Sequence, residues 1–424
     1  MKMCNELILP QPADEPLQMR RRIALGGLAG AVVGSTLSFP SIVRAQSKGQ
    51  PLKVSVGRIP WAAGNSPVTQ YMINNKLFEK RATEQGYDLT VDWRDYPTAM
   101  PMVEAVVGNN LDMGMWGNTP IIRGIAAGLP ISLLCVGEGH LRFLIVTRKG
   151  SPIRKVEDLK GKTIGVQLGG DPYNALTSIL RHELGSPDPK DHGIKLINTT
   201  TQAMSASVPT GMDAACCIYP AFLAAQATGT VAIVNSFGYT EDYYEGPLGK
   251  GGGIQIPSVK KSPFFPEGYY LHRSFWIANN ALIDKQPKVV LAYLLAQEEA
   301  VNALTAMNPG AVSQLVKDFW KLDPEAGAKV VKDDVLFARG WSWPTENDAR
   351  AVLEISKYLV GSKVIEQPLT WAQVKGSFAK TAPLVKQAYE RMGSKPAAVE
   401  FTRADAADLR GAPVWDMARW ADRS

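Results

Sequence analysis

Long hydrophobic runs are what this chain lacks first. A membrane-spanning helix needs about 20 mostly apolar residues. The apolar stretch near the start, Ile23 to Val33, is too short and too rich in glycine and alanine. Nothing later in the chain is long enough either, so membrane insertion is not expected. Histidine and cysteine are scarce, with four of each in 424 residues. His140, His182, His192 and His272 show no metal-ligand spacing, so neither a zinc centre nor any other cofactor is expected. Cys216 and Cys217 are adjacent in an apolar run, a spacing at which disulfide geometry is hard to meet. Cys135 sits in a second apolar run, and all three read as buried thiols. There is no Gly-x-Ser-x-Gly elbow and no kinase signature, and the glycines at Gly249–Gly253 lack the Gly-Lys-Ser/Thr ending of a phosphate loop. A strong excess of one charge is missing too. The net charge of +6 falls to +4 once the five basic and three acidic residues of the first 45 are set aside. That is too mild for nucleic acid and compatible with a small anionic ligand.

What is present at the start is the pattern of an export signal. Arg20, Arg21 and Arg22 precede the weakly apolar run, and Val43-Arg44-Ala45 offers a cleavage site before Gln46. The adjacent arginines, the long polar leader and the modest hydrophobicity point to the twin-arginine route. No lipobox cysteine stands near the cleavage site. The expectation is therefore a free periplasmic protein that folds before export.

Beyond the leader, strand and helix patterns alternate. Strands are expected at 52–56, 89–93, 111–116, 131–136 and 143–147, with helices over 67–80, 98–107 and 120–127 between them. A second block restarts near residue 142. It has strands at 163–166, 195–198, 214–218 and 231–234, and a helix from Asp171 as N-cap, with Pro172 at the first position, to Gly185 as its left-handed stop. Residues 239–273 are irregular and rich in glycine and proline. A strand at 274–278 follows, then helices over 287–306, 311–320, 324–337, 347–360 and 371–392, and a polar tail. The expected class is α/β: two lobes, each a mostly parallel sheet flanked by helices, with a helical C-terminal region. The expected division is a signal peptide (1–45), lobe one (51–141), lobe two (142–238), an irregular crossover (239–273), the return of lobe one with its helices (274–393) and a tail (394–424).

Four stretches carry a resemblance to a known family. They are Gly117-Asn118-Thr119-Pro120 at the end of a strand, Gly150-Ser151-Pro152-Ile153 with Val156 through Gly165, Ile218-Tyr219-Pro220-Ala221-Phe222, and Phe275-Trp276-Ile277-Ala278 followed by Pro287 to Leu295. In this order they resemble the sulfonate/nitrate/taurine-type solute-binding proteins of ABC importers, with the type II periplasmic-binding fold. The Asp158-Leu159-Lys160-Gly161-Lys162 element is common to many binding proteins and marks fold more than ligand. The resemblance implies a cleft between the lobes, hinge closure around a small organic anion or zwitterion, and an ABC transporter permease as partner.

The candidate contacts sit at carboxyl ends of strands, where open α/β sheets place ligands. At Gly117-Asn118-Thr119-Pro120 a strand turns into a helix. Thr119 is expected to cap it, and the free N–H groups favour an anion. Arg58, Trp61 and Asn65 follow the first strand. His140 ends lobe one and also reads as a structural histidine. Gly170 and Asp171 repeat the strand-to-helix logic in lobe two, with Asp171 either capping its own helix or facing a cationic group of the ligand. Tyr219 opens a helix and either stacks on the ligand or packs in the core. Trp116 and Tyr173 extend the aromatic wall.

Two other functions stay open at this point. One is an enzyme of the same fold that cleaves carbon–sulfur bonds with a cysteine nucleophile or makes a pyrimidine using histidine. The loop 57–67 has neither residue, and the cysteines lie in apolar strands, which weighs against both. The other is a sensor that presents its ligand to a membrane receptor.

Overall fold

A computed structural model describes residues 49–59, 67–137, 143–236, 268–320, 324–325, 327–328, 331, 342–392 and 411–421. The leader lies outside them, as do Trp61, Asn65, His140 and the irregular stretch through residue 267.

Apolar runs bounded by glycine and polar turns form the strands, and they assemble into two five-stranded sheets. The first holds β1 (Gln50–Arg58), β2 (Tyr87–Asp95), β3 (Met113–Trp116), β4 (Ile131–Val136) and β10 (Phe275–Asn279), in the order β2-β1-β3-β10-β4. The second holds β5 (Phe143–Arg148), β6 (Thr163–Val166), β7 (Lys195–Asn198), β8 (Ala214–Ile218) and β9 (Thr230–Asn235), in the order β7-β6-β8-β5-β9. Each sheet is parallel except for one strand. β10 runs antiparallel to β3 and β4, and β5 runs antiparallel to β8 and β9. These two are the strands the chain forms just after it crosses from the other lobe. The α/β, two-lobed, mostly parallel architecture read from the sequence is therefore the one observed.

Parallel strands covered by helices on both faces need no alternation of polar and apolar residues. β4 and β8 are buried along their whole length. β1 shows no alternation either, because Val54, Ser55 and Val56 are all buried in succession. Cys135, Cys216 and Cys217 lie inside these strands as free, fully buried thiols. Burial pushes the Cys216 thiol up to about 12 and the Cys135 and Cys217 thiols well above the ordinary range. None of the three is held as a reactive thiolate.

Several helices are shorter than their sequence pattern. The one expected over 67–80 breaks into Pro67–Asn74 and Leu77–Glu84, with Lys76 in the left-handed region at φ 50°. The pattern over 371–392 breaks at Thr381, whose hydroxyl donates to the Leu133 carbonyl of β4 at 2.5 Å. Tertiary hydrogen bonding outweighs helical propensity there. After β7 the chain makes a single helical turn, Thr201–Met204. Part of the polar tail is docked. Trp420 is 3% exposed, packs against the Trp371 and Phe378 rings at 5.8 and 6.0 Å, and donates to the Ala412 carbonyl at 2.8 Å.

The helix Glu346–Gly361 joins the lobes. Its first turn holds Asp348, which accepts from Arg273 Nε at 2.9 Å, beside β10 of lobe one. Its last turns hold Tyr358, whose hydroxyl lies 2.7 Å from Thr177 Oγ1 and donates to the Asn174 carbonyl at 3.1 Å in lobe two. Arg181 stacks over the same Tyr358 ring at 5.2 Å. No helix among the described residues is long and apolar enough to cross a membrane.

Candidate functional site

Two strand-to-helix turns face each other across the cleft. In lobe one, β3 ends at Trp116 and the helix Asn118–Ala126 follows, with Gly117 as its extended N-cap. In lobe two, β6 leads through Gln167–Gly170 into the helix Asp171–Leu184, with Gly170 as N-cap and Pro172 in the first turn. Gly185 closes that helix at φ 87°, in the left-handed region expected of it.

The caps themselves differ from the sequence expectation. Neither Thr119 nor Asp171 caps its own helix. Asp171 occupies the first helical position, and its side chain crosses the cleft to the helix of lobe one. Asp171 Oδ1 accepts from the Thr119 amide at 3.1 Å, from the Thr119 hydroxyl at 2.7 Å and from the Tyr270 hydroxyl at 3.0 Å. Thr119 Oγ1 in turn accepts from Asn174 Nδ2 at 2.7 Å. Asp171 Oδ2 lies 3.8 Å from His272 Nε2. A capping side chain satisfies the amides of its own first turn because those amides have no helical partner. Here the amide belongs to the other lobe, so a local device becomes an interlobe bond.

Glycine at position 117 is required by this contact. A Cβ there would overlap Asp171 Oδ2 and come within 3.1 Å of His272 Nε2. Burial pushes the Asp171 carboxyl above the usual carboxylate range, and the hydrogen bonds from Thr119 and Tyr270 pull it back. Burial, with the Asp171 charge beside it, pushes the Tyr270 hydroxyl well up, which keeps it a donor.

Around this bond lies a cavity of about 320 Å³. Met115, Trp116, Gly117 and Pro120 line it from lobe one, with Ile59 and Thr98–Met100 nearby. Gln167 through Pro172, Asn198–Thr201 and Ile218 line it from lobe two. Phe143, His272 and Ser274 line it from the crossovers. The wall is apolar at Trp116, Phe143 and Met115 and polar along the threonines. Among the described residues, its ionisable side chains are Asp171 and His272. No three His, Cys, Asp or Glu side chains among the described residues converge as metal ligands.

Of the residues expected at the site, Gly117, Gly170 and Asp171 line the cavity, and Thr119 lies directly behind them as the partner of Asp171. Asn118 is absent from the lining. Its side chain donates to the Leu271 carbonyl at 2.7 Å and accepts from the Arg273 amide at 3.1 Å, which pins the crossover to the Asn118 helix. Arg58 is also absent from the lining and pairs with Asp95 at 2.6 Å and Gln70 at 2.7 Å. Trp61, Asn65 and His140 lie outside the described residues, as does the side chain of Tyr219, whose backbone opens the helix Tyr219–Gln226. Sequence reasoning missed Tyr270 and His272, which fall in a stretch read as irregular. It also missed Thr199–Thr201, although a run of threonines at the end of β7 is the kind of strand-end signal that found the other turns.

The family model described as NMT1/THI5 like matches residues 82–310, more than half of the chain. The chain belongs to this family. A 166-residue stretch is 30% identical to an Escherichia coli (strain K12) protein provisionally named as binding aliphatic sulfonates, covering 38% of this chain and 47% of that protein. A 254-residue stretch is 24% identical to the taurine-binding periplasmic protein of the same organism, covering 59% of this chain and 65% of that protein. The matches thus span less than two thirds of either relative. In three dimensions the chain resembles the alkanesulfonate-binding protein SsuA from Xanthomonas axonopodis pv. citri bound to MOPS, with a TM-score of 0.58 and 16% identity over 78% of this chain and 99% of that one. It also resembles the desulfurization enzyme DSZB, with a TM-score of 0.51 and 13% identity over 80% of this chain and 99% of that one. At such identities the likeness shows the fold alone. The NMT1/THI5-like chain thus shares its fold with binding proteins and with an enzyme, and the site has to separate them.

Proposed function

We propose that this NMT1/THI5-like chain is the extracytoplasmic solute-binding subunit of an ABC import system. It captures a small organic anion, sulfonate- or carboxylate-like, in the cleft between its lobes and hands it to a permease. The observation that carries the reading is the carboxylate at the N-terminus of the Asn118 helix. An oxygen anion held by the Thr119 amide and hydroxyl is the chemistry that a sulfonate or carboxylate head would need there. The apolar wall of Trp116, Phe143 and Met115 would take the ligand's body. Binding alone requires no nucleophile. The buried thiols with raised pKa values weigh against cysteine catalysis. The relatives named for sulfonates and taurine agree in ligand class. The leader supports periplasmic delivery by the twin-arginine route.

A thermal-shift screen of the purified protein against alkanesulfonates, carboxylates, nitrate and aromatic acids tests the ligand class. A ligand at 100 times its dissociation constant stabilises by about 2.7 kcal/mol, which such a screen reads. A flat response to every anion refutes the reading, and ligand turnover would move the protein to the enzyme class. Loss of uptake of the hit compound on gene deletion separates transport from sensing, and unchanged uptake counts against transport.

A further inference from the structure

We infer that Asp171 is an internal competitor for the ligand's anionic group, and so the residue that sets affinity and selectivity in the cleft. The inference rests on the anion-binding reading above and deepens it. The donors that would receive an anionic head, the Thr119 amide and hydroxyl, are already satisfied by Asp171 Oδ1, and Tyr270 adds a third donor to the same oxygen. The competitor is supplied by the opposite lobe, so the two bonds to Thr119 also tie the lobes together, while the third ties Asp171 to the crossover at Tyr270. A ligand can reach Thr119 only if this carboxylate withdraws. Gly117 leaves the space the carboxylate occupies.

The consequence is a threshold. A tethered group competes at an effective concentration on the order of millimolar. An anion that binds the bare turn only weakly does not displace it. The apparent affinity of any anion falls by the fraction of molecules in which Thr119 is uncovered. Selection then favours ligands whose head accepts from Thr119 and whose body also fills the apolar wall at Trp116 and Phe143. Small inorganic anions that offer only charge are turned away. While Asp171 remains in place its own charge repels an incoming anion, which sharpens the threshold.

Calorimetric titration of ethanesulfonate into the full chain and its Asp171→Ala and Asp171→Asn variants tests this. Asp171→Ala should bind about tenfold or more tightly than the parent chain, a gain of about 1.4 kcal/mol. Asp171→Asn, neutral yet still able to accept from Thr119, should fall between them. Equal or weaker binding by Asp171→Ala overturns the inference. Small-angle scattering of the ligand-free proteins gives an independent reading, in which Asp171→Ala should show a larger radius of gyration than the parent. An unchanged radius also overturns it. If none of the three proteins binds ethanesulfonate, the anion reading of the cleft fails, and the scattering result still decides whether Asp171 holds the lobes.

Discussion

The turn after β3 and the turn after β6 have the same local build: glycine, two further residues and a proline at the mouth of a helix. They do opposite things. Gly117-Asn118-Thr119-Pro120 presents donors, and Gly169-Gly170-Asp171-Pro172 presents an acceptor that fits them. One carboxylate makes the difference. Had position 171 been a small hydroxyl residue, both turns would offer donors, and a ligand anion would be needed to bridge them. With aspartate there, the chain bridges itself. The comparison teaches that a capping residue should be read against every helix terminus it can reach as well as its own.

The largest effect expected from perturbing this pairing is at Gly117. Gly117→Ala places a methyl group where Asp171 Oδ2 stands, and the carboxylate must leave. Loss of its hydrogen bonds with the accompanying repacking should cost about 2–3 kcal/mol in chemical denaturation. A variant as stable as the parent would mean the contact contributes nothing. Next is Thr119→Val, which removes the hydroxyl that donates to Asp171 and accepts from Asn174. It should cost about 1–2 kcal/mol, because the Asn174 amide loses its acceptor in a buried setting. Restoration by Thr119→Ser, which keeps the hydroxyl, separates this from loss of packing. The smallest effect is in pH dependence. Because burial raises the folded-state pKa of Asp171, its charged form costs stability above that pKa. The cost disappears as pH falls through the raised value. The melting temperature of Asp171→Asn relative to the parent should therefore be highest near neutrality and decline between about pH 7 and pH 4. A relative melting temperature that rises on acidification would show that the hydrogen bonds outweigh burial at this carboxyl.

Much of the fold was legible because its signals are local. Apolar runs between glycines gave the ten strands, and proline and glycine punctuation gave the ends of the Asp171 helix. Breaks at Lys76 and Thr381 were not legible. The first depends on one residue entering the left-handed region, and the second on a hydroxyl that finds the Leu133 carbonyl 248 residues away. At the site, the two turns could be read because strand ends and helix starts leave a pattern. The role of Asp171 could not, since a capping aspartate and a cross-cleft aspartate look alike in sequence. Tyr270 and His272 were hidden for a related reason. They lie in a crossover with no periodicity, and only the sheets on either side bring it between the lobes. Asn118 sits in the turn that its sequence position marks, but the crossover backbone that it binds has no sequence mark.

The most direct measurement is a crystal structure of the protein grown with ethanesulfonate at saturating concentration. Sulfonate oxygens should lie within hydrogen-bond distance of the Thr119 amide and hydroxyl, with the ethyl group against Trp116 and Phe143 and the Asp171 carboxylate withdrawn from Thr119. A sulfonate bound elsewhere in the cleft, with Asp171 still accepting from Thr119, would contradict this placement.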